Sequence, residues 1–74
     1  MYIVIKSNYF STFIISDINE NDTIGDIKKK IFEKKQVPHD EQNLIYKNII
    51  LRDDTTLQSN NIKNEDTLWL LLKK

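Results

Sequence analysis

Seventy-four residues leave room for one domain and one core, and a chain of this size buries only roughly 60% of the surface its unfolded form exposes. It has no cysteine and a single histidine, His39, so neither disulfides nor the usual thiolate and imidazole metal sets are available to it. Eleven basic residues balance eleven acidic ones, which argues against nucleic acid as the main partner, and no apolar run approaches the roughly 20 residues that span a bilayer. Met1 leads directly into a strand-like pattern with no signal peptide ahead of it. A soluble monomer of the cytoplasm, the nucleus or both is therefore expected. Gly and Pro occur once each, so turns that need positive φ are expected to fall on Asn or Asp.

From Met1 to Lys6 the chain alternates, with Ile3 and Ile5 on one face and Tyr2, Val4 and Lys6 on the other. Period two over β-branched residues predicts a strand. A turn over SNYFS leads to a second strand, TFIISDI. If Phe13 and Ile15 point inward, Ile18 joins them only through a bulge near Ser16 or Asp17; the other register turns Ile14 inward. A helix follows. Thr23 can cap it, Asp26 stands three residues on, and Asp22 and Asp26 suit the positive end of the helix dipole. Ile24, Ile27 and Ile31 form a narrow apolar stripe, and Lys28, Lys29, Lys30, Lys34 and Lys35 read as a solvated face. Val37-Pro38 ends the helix, because Pro disfavours a helical predecessor.

The strand pattern resumes at LIY (Leu44 to Tyr46), turns at Lys47-Asn48 and continues as IIL (Ile49 to Leu51). The polar stretch RDDTTLQSNNI carries two apolar anchors, Leu57 and Ile62, and Thr67 to Leu72 is the last strand. Two strands, one helix and at least two further strands predict an α+β architecture with one sheet folded across one helix.

The stretch DTIGDIKKKIFEKKQVPHDEQNLIY resembles the central helix and third strand of ubiquitin. Leu51, Thr56-Leu57, Asn61-Ile62 and TLWLLL continue the likeness at ubiquitin's spacing, and MYIVIKS matches its first strand, with one extra residue in the second. The resemblance covers essentially the whole chain. It implies the ubiquitin-like β-grasp: a mixed sheet packed on one central helix, with the first and last strands parallel and central. The departures also inform. Ubiquitin-type modifiers end in a flexible tail closing with Gly-Gly, whereas this sequence stops at Lys73-Lys74. Ile49 and Asn64 stand where ubiquitin has the two lysines best known for carrying chains, and Gln36, Asn48 and Asp54 replace family glycines. The Asn and Asp replacements are expected to preserve left-handed turns, and Gln36 to do so less well.

A catalytic role is not expected, and no cofactor is implied. There is no thiol, His39 sits in a loop, and the acidic pairs Asp53-Asp54 and Glu65-Asp66 lie in turn contexts without convergent partners. Binding is the better expectation. In TLWLLL, Leu68 and Leu70 share one strand face, so Trp69 and Leu71 share the other; if Leu44 is core, Ile45 is outward. By resemblance, the matching outward positions of ubiquitin form the apolar patch used by most of its receptors. Here that patch is Ile45, Trp69 and Leu71, with Lys6, Asn48, Ile49 and Lys73 as its rim, while Asn8 falls where the patch's loop leucine lies. Two plainer alternatives stay open: Trp69 lies under the methylenes of Lys6, and Ile49 serves edge-strand packing.

The resemblance thus implies a non-conjugated ubiquitin-like domain spanning 1–74, the N-terminal module of a longer protein, whose partners are ubiquitin receptors or proteasomal proteins. A modifier cut before its Gly-Gly tail and a regulatory β-grasp domain packed within its own protein are the alternatives.

Overall fold

The alternation of Ile3 and Ile5 with outward residues is realised as β1, Ile3–Ser7, in the computed structural model, which describes residues 1–73. It is followed by β2 (Phe13–Ile15), α1 (Ile24–Lys35), β3 (Gln42–Tyr46), β4 (Ile49–Ile50) and β5 (Thr67–Leu72), with single 3₁₀ turns at His39–Glu41 and Gln58–Asn60. The five strands form one sheet in the order β2-β1-β5-β3-β4. β1 and β5 are parallel and every other pair is antiparallel. This is the mixed α+β sheet the sequence predicts, with its first and last strands adjacent near the centre.

Registry decides the question left open in β2. Ile3 pairs with Ile15 and Ile5 with Phe13, so these four point into the core while Ile14 points away from it. Ile18 still reaches the core because Asp17, at φ 59°, takes a left-handed conformation that reverses the alternation just past the strand's end. The strand is shorter than the TFIISDI run for the same reason: no neighbour pairs beyond Ile15. Likewise β4 stops at Ile50, and Leu51 turns inward, its N–H donating to the Leu44 carbonyl at 2.8 Å.

Thr23 caps α1 as expected. Its hydroxyl accepts from the Asp26 N–H and the Asp26 carboxylate accepts from the Thr23 N–H, both at 3.1 Å. The first helical N–H groups go to the loop after β4: Ile24 donates to the Thr55 carbonyl and Gly25 to that of Asp53. Helix-terminal donors thus anchor a long polar loop, and Leu57 and Ile62 pin it from below as wholly buried side chains. Ile24, Ile27 and Ile31 meet Ile3, Ile5, Leu44, Leu68 and Leu70 in a single core.

Two expectations are corrected here. Lys28 is not on a solvated face. It lies almost wholly buried one turn beyond Ile24, and its Nζ stands 2.6 Å from the Asp53 carboxylate. An apolar stripe that includes the i+4 position covers residue 28, and the long methylene stem lets the ammonium reach out to its counter-ion. The second concerns turns. Positive φ falls on Asp17, Asn48 and Asn61, and on Gln36 at the helix end, but also on Lys47 and Glu65, and Asp54 is not among them. At Gln36, Lys47 and Glu65 hydrogen bonds or strand twist dictate the backbone. Gln36 closes α1 by donating its N–H to Phe32 O and its side-chain amide to Glu33 O. Glu65 N–H donates to the Tyr2 carbonyl at 2.7 Å. Lys47 and Asn48, at φ 52° and 66°, form the two-residue turn whose double left-handed geometry matches the twist of a hairpin.

Candidate binding face on the open side of the sheet

The single helix covers one side of the sheet, and the other side is where the outward residues of five strands collect. Their register is simple. Lys6 of β1 stands opposite Trp69 of β5, Trp69 opposite Ile45 of β3, and Ile45 opposite Ile50 of β4. One transverse row of side chains therefore crosses four strands, with an indole and two isoleucines in succession and a lysine at its end. Leu71 projects from the same face one step along β5, opposite Asn43. On the other flank Val4 pairs with both Thr67 and Ile14, extending the apolar face toward the β2 edge.

Exposure agrees with this geometry. Leu68 and Leu70 are fully buried, whereas Trp69 keeps 46% of its surface in solvent and Leu71 38%. Ile45, flanked on both sides, is half-buried, and Ile50 on the short outer strand is 63% exposed. Lys6, which the sequence offered as a cover for the indole, is exposed and is Trp69's neighbour across the parallel pair.

Not all of the remaining expected residues share the face of this row. Asn48 is exposed in the hairpin turn. Ile49 is as exposed as Ile50, but its register partner is Tyr46, so it leaves the sheet on the opposite side from Ile45. Lys73 is exposed past the end of β5, held there by its N–H donating to the Glu41 carbonyl at 2.7 Å. Asn8 is exposed in the β1–β2 loop; its neighbour Tyr9, also exposed, shares a groove of ≈ 500 Å³ with Leu72 and Lys73.

Sequence reasoning overlooked Ile50. The signal was available, because a two-residue turn at Lys47-Asn48 pairs residue 46 with 49 and 45 with 50. An outward Ile45 therefore implies an outward Ile50.

Beneath the face, Tyr46 fixes the loop that feeds β5. Its hydroxyl donates to the Asp66 carboxylate at 2.7 Å, and the Lys63 N–H donates to the same carboxylate at 2.8 Å. The Lys63 amide, then the Tyr46 hydroxyl, hold the Asp66 carboxyl below its ordinary value, while the bond to Asp66 raises the Tyr46 phenol. So Asp66 does have convergent partners, contrary to the sequence reading. The same correction applies to Asp53, which draws together Lys28 at 2.6 Å and His39 at 3.1 Å. The bond from Lys28 is the main reason the Asp53 carboxyl is lowered. These are ties between the helix, the 3₁₀ turn at His39 and the loop after β4, and they involve no thiol or hydroxyl nucleophile. Among the described residues no group of three or more His, Cys, Asp or Glu is set to hold a metal ion, and no helix is long and apolar enough to cross a membrane.

Comparison with known proteins agrees with this architecture. The chain is similar to the UV excision repair protein rhp23 of Schizosaccharomyces pombe, at 31% identity over 74 residues; the match takes in 100% of this chain and 20% of that protein. It is also similar to Ubiquitin-like protein 1 of the same yeast, at 34% identity over 56 residues, covering 76% of this chain and 72% of the relative. The chain thus spans about a fifth of the length of one relative and most of the other. The family model described as Ubiquitin family matches residues 3–74, so nearly every residue of the sheet, the helix and the open face lies within the match. The chain belongs to the ubiquitin family.

Proposed function

We propose that this ubiquitin-like domain is a non-conjugated protein-interaction module that binds ubiquitin-receptor or proteasome-type proteins through Ile45, Trp69 and Leu71, with Ile50 extending the patch. The observation that carries this reading is Trp69, an exposed indole that stands between Lys6 and Ile45 in a row on the side of the sheet away from the helix. Desolvating such a cluster is the main energy source of most interface hot spots, and tryptophan is over-represented in them. Lys6 and Lys73 at the margin suit acidic partner residues, which they would orient and attract more than hold. We place the domain as a monomeric module at the N-terminus of a longer protein of the cytoplasm or nucleus; that the match takes in 20% of the rhp23 relative supports a place within a longer protein.

The test is a titration of the isotope-labelled domain with a proteasomal receptor domain, followed by amide shifts. Shifts are expected at residues 45, 50, 69 and 71, and Trp69→Ala should weaken binding roughly 30-fold, about 2 kcal/mol. Shifts that avoid these residues, or an unchanged affinity in the variant, would overturn the reading.

The likeness to Ubiquitin-like protein 1, which this chain covers over most of its length, favours a second reading as a modifier. The coding sequence past Lys74 separates the two. A short tail closing in Gly-Gly supports the modifier, and a long continuing chain supports the module.

A further inference from the structure

β4 closes one side of the sheet and pairs only with β3. It consists of two isoleucines, Ile49 and Ile50, each 63% exposed and more open to water than any other large apolar side chain described. They leave the sheet on opposite sides, Ile50 beside Ile45 in the Trp69 row and Ile49 on the side of the helix. Soluble proteins usually blunt such an edge with charge, proline or cover, and β4 carries neither charge nor proline. The backbone is open there as well. The Leu51 N–H turns toward β3, where it donates to the Leu44 carbonyl at 2.8 Å. Successive residues of a strand alternate the side to which they direct N–H and C=O, so both groups of Ile50 point away from β3 into the open edge.

This edge is complementary to itself. Ile50 alone offers outward groups, and an antiparallel hydrogen-bonded pair is one in which two residues exchange both bonds. Ile50 facing Ile50 of a second copy uses all four groups and leaves none over. The ends of the edge fit the same arrangement. Before β4 stands the exposed Lys47 of the hairpin turn, whose ammonium lies 5.3 Å from the centre of the Tyr46 ring. After it comes Asp54, 77% exposed and met only by Arg52 at 3.7 Å. Antiparallel pairing brings the lysine end of each copy to the acidic end of the other.

We propose that β4 is a self-association edge, at which a second copy of this chain pairs antiparallel about a two-fold axis through Ile50. Each Ile50 N–H donates to the Ile50 carbonyl of the other copy, and the two side chains lie together on the open face. Ile49 falls opposite Leu51 of the other copy on the helix side, and Lys47 lies beside the other copy's Asp54. Such a contact covers far less than the roughly 1,200 Å² of a stable complex, so the domain stays monomeric in dilute solution and pairs only when copies are concentrated or brought together. The sheet then runs through ten strands with both open faces on one side. Five strand spacings place the two Trp69 side chains about 24 Å apart on that face. A receptor with two sites would gain avidity from that spacing. This consequence rests on the function proposed above; the pairing itself does not.

The test uses the domain alone, without a receptor, at low salt. Amide resonances of residues 49–52 should move with the domain's own concentration, with a midpoint on the order of millimolar. Exchange of the Ile50 N–H with solvent should slow as they do. Orientation is read by mixing the isotope-labelled domain with an unlabelled copy that carries a nitroxide on Arg52→Cys. The label should broaden residues 47–50 of the other copy. Ile49→Asp should weaken the association at least roughly tenfold and leave a receptor titration unchanged. Lys47→Glu should weaken it roughly tenfold, because the contact occurs twice in the pair, and adding Asp54→Lys should restore it. Trp69→Ala should leave it intact. Four outcomes overturn the proposal: shifts that do not depend on concentration up to about 3 mM; broadening centred on residue 52 itself or on Trp69; association lost in Trp69→Ala but kept in Ile49→Asp; or a charge swap that fails to restore what Lys47→Glu removes.

Discussion

The two faces of β5 are built from one six-residue strand, yet they obey different physics. Leu68 and Leu70 lie against α1 with no solvent exposure, while Trp69 and Leu71, one residue away in each case, stand in water. Both faces are apolar. What separates them is the number of covering layers, since one 12-residue helix shields one side of a five-stranded sheet and, among the described residues, nothing shields the other. On the inner face an apolar side chain contributes to folding. On the outer face the same kind of side chain, left partly in water, contributes less to folding and keeps free energy available to a partner.

The largest test of that contrast is Leu70→Ala. Truncation at a filled, fully buried site should cost about 3 kcal/mol, read as a drop in the urea midpoint, and a loss below about 1 kcal/mol would mean the core is looser than its burial implies. Next comes the ion pair that ties the helix to the loop. Asp53→Ala leaves the Lys28 ammonium buried without its partner and should cost about 2 kcal/mol. Lys28→Met should cost less, because the Asp53 side chain is 52% exposed and can hydrate. Equal costs would show that the pair's desolvation matters little.

Acid unfolding sharpens the same point. Asp53 and Asp66 have folded values below the ordinary aspartate value of about 3.9. Their contribution is therefore complete above that value and is lost as pH falls through the lowered ones. Tyr46 has the opposite sign: its value is raised, so its contribution holds below about 10 and is lost as pH rises through the raised value. Urea midpoints across the acid range should fall less steeply in Asp53→Ala than in the parent.

Smaller effects follow. Gln36→Gly should raise stability by about 0.5–1 kcal/mol in the same assay, because glycine adopts the left-handed helix end without strain. A neutral or negative result would assign the difference to the lost bond between the Gln36 amide and Glu33. Smallest of all, Trp69→Ala should change stability by no more than about 0.5 kcal/mol. A larger loss would place the indole among the residues that hold the fold and break the distinction between the two faces.

Much of this was legible in one sequence. Local periodicities mark the strands at Ile3 and Leu68 and the helix from Ile24, and Thr23 with Asp26 marks where that helix starts. Trp69 and Leu71 could be set opposite Leu68 and Leu70 because a strand's alternation needs no knowledge of its neighbours. What was not legible depended on neighbours. Lys28 reads as one more surface lysine until a loop 25 residues away brings Asp53 to it. Ile50 joins the row only through its pairing with Ile45, and the left-handed Lys47 and Glu65 answer to hairpin twist and to the Tyr2 carbonyl, not to their own preferences.

By itself, then, the sequence determined the elements and the two-sidedness of each strand, because these follow from the spacing of apolar side chains within a few residues. Only the tertiary structure decided which side meets the helix, which strands stand at the edges, and which exposed residues fall into one row. Those outcomes rest on pairings between segments as distant as Lys6 and Trp69, and no local pattern encodes them.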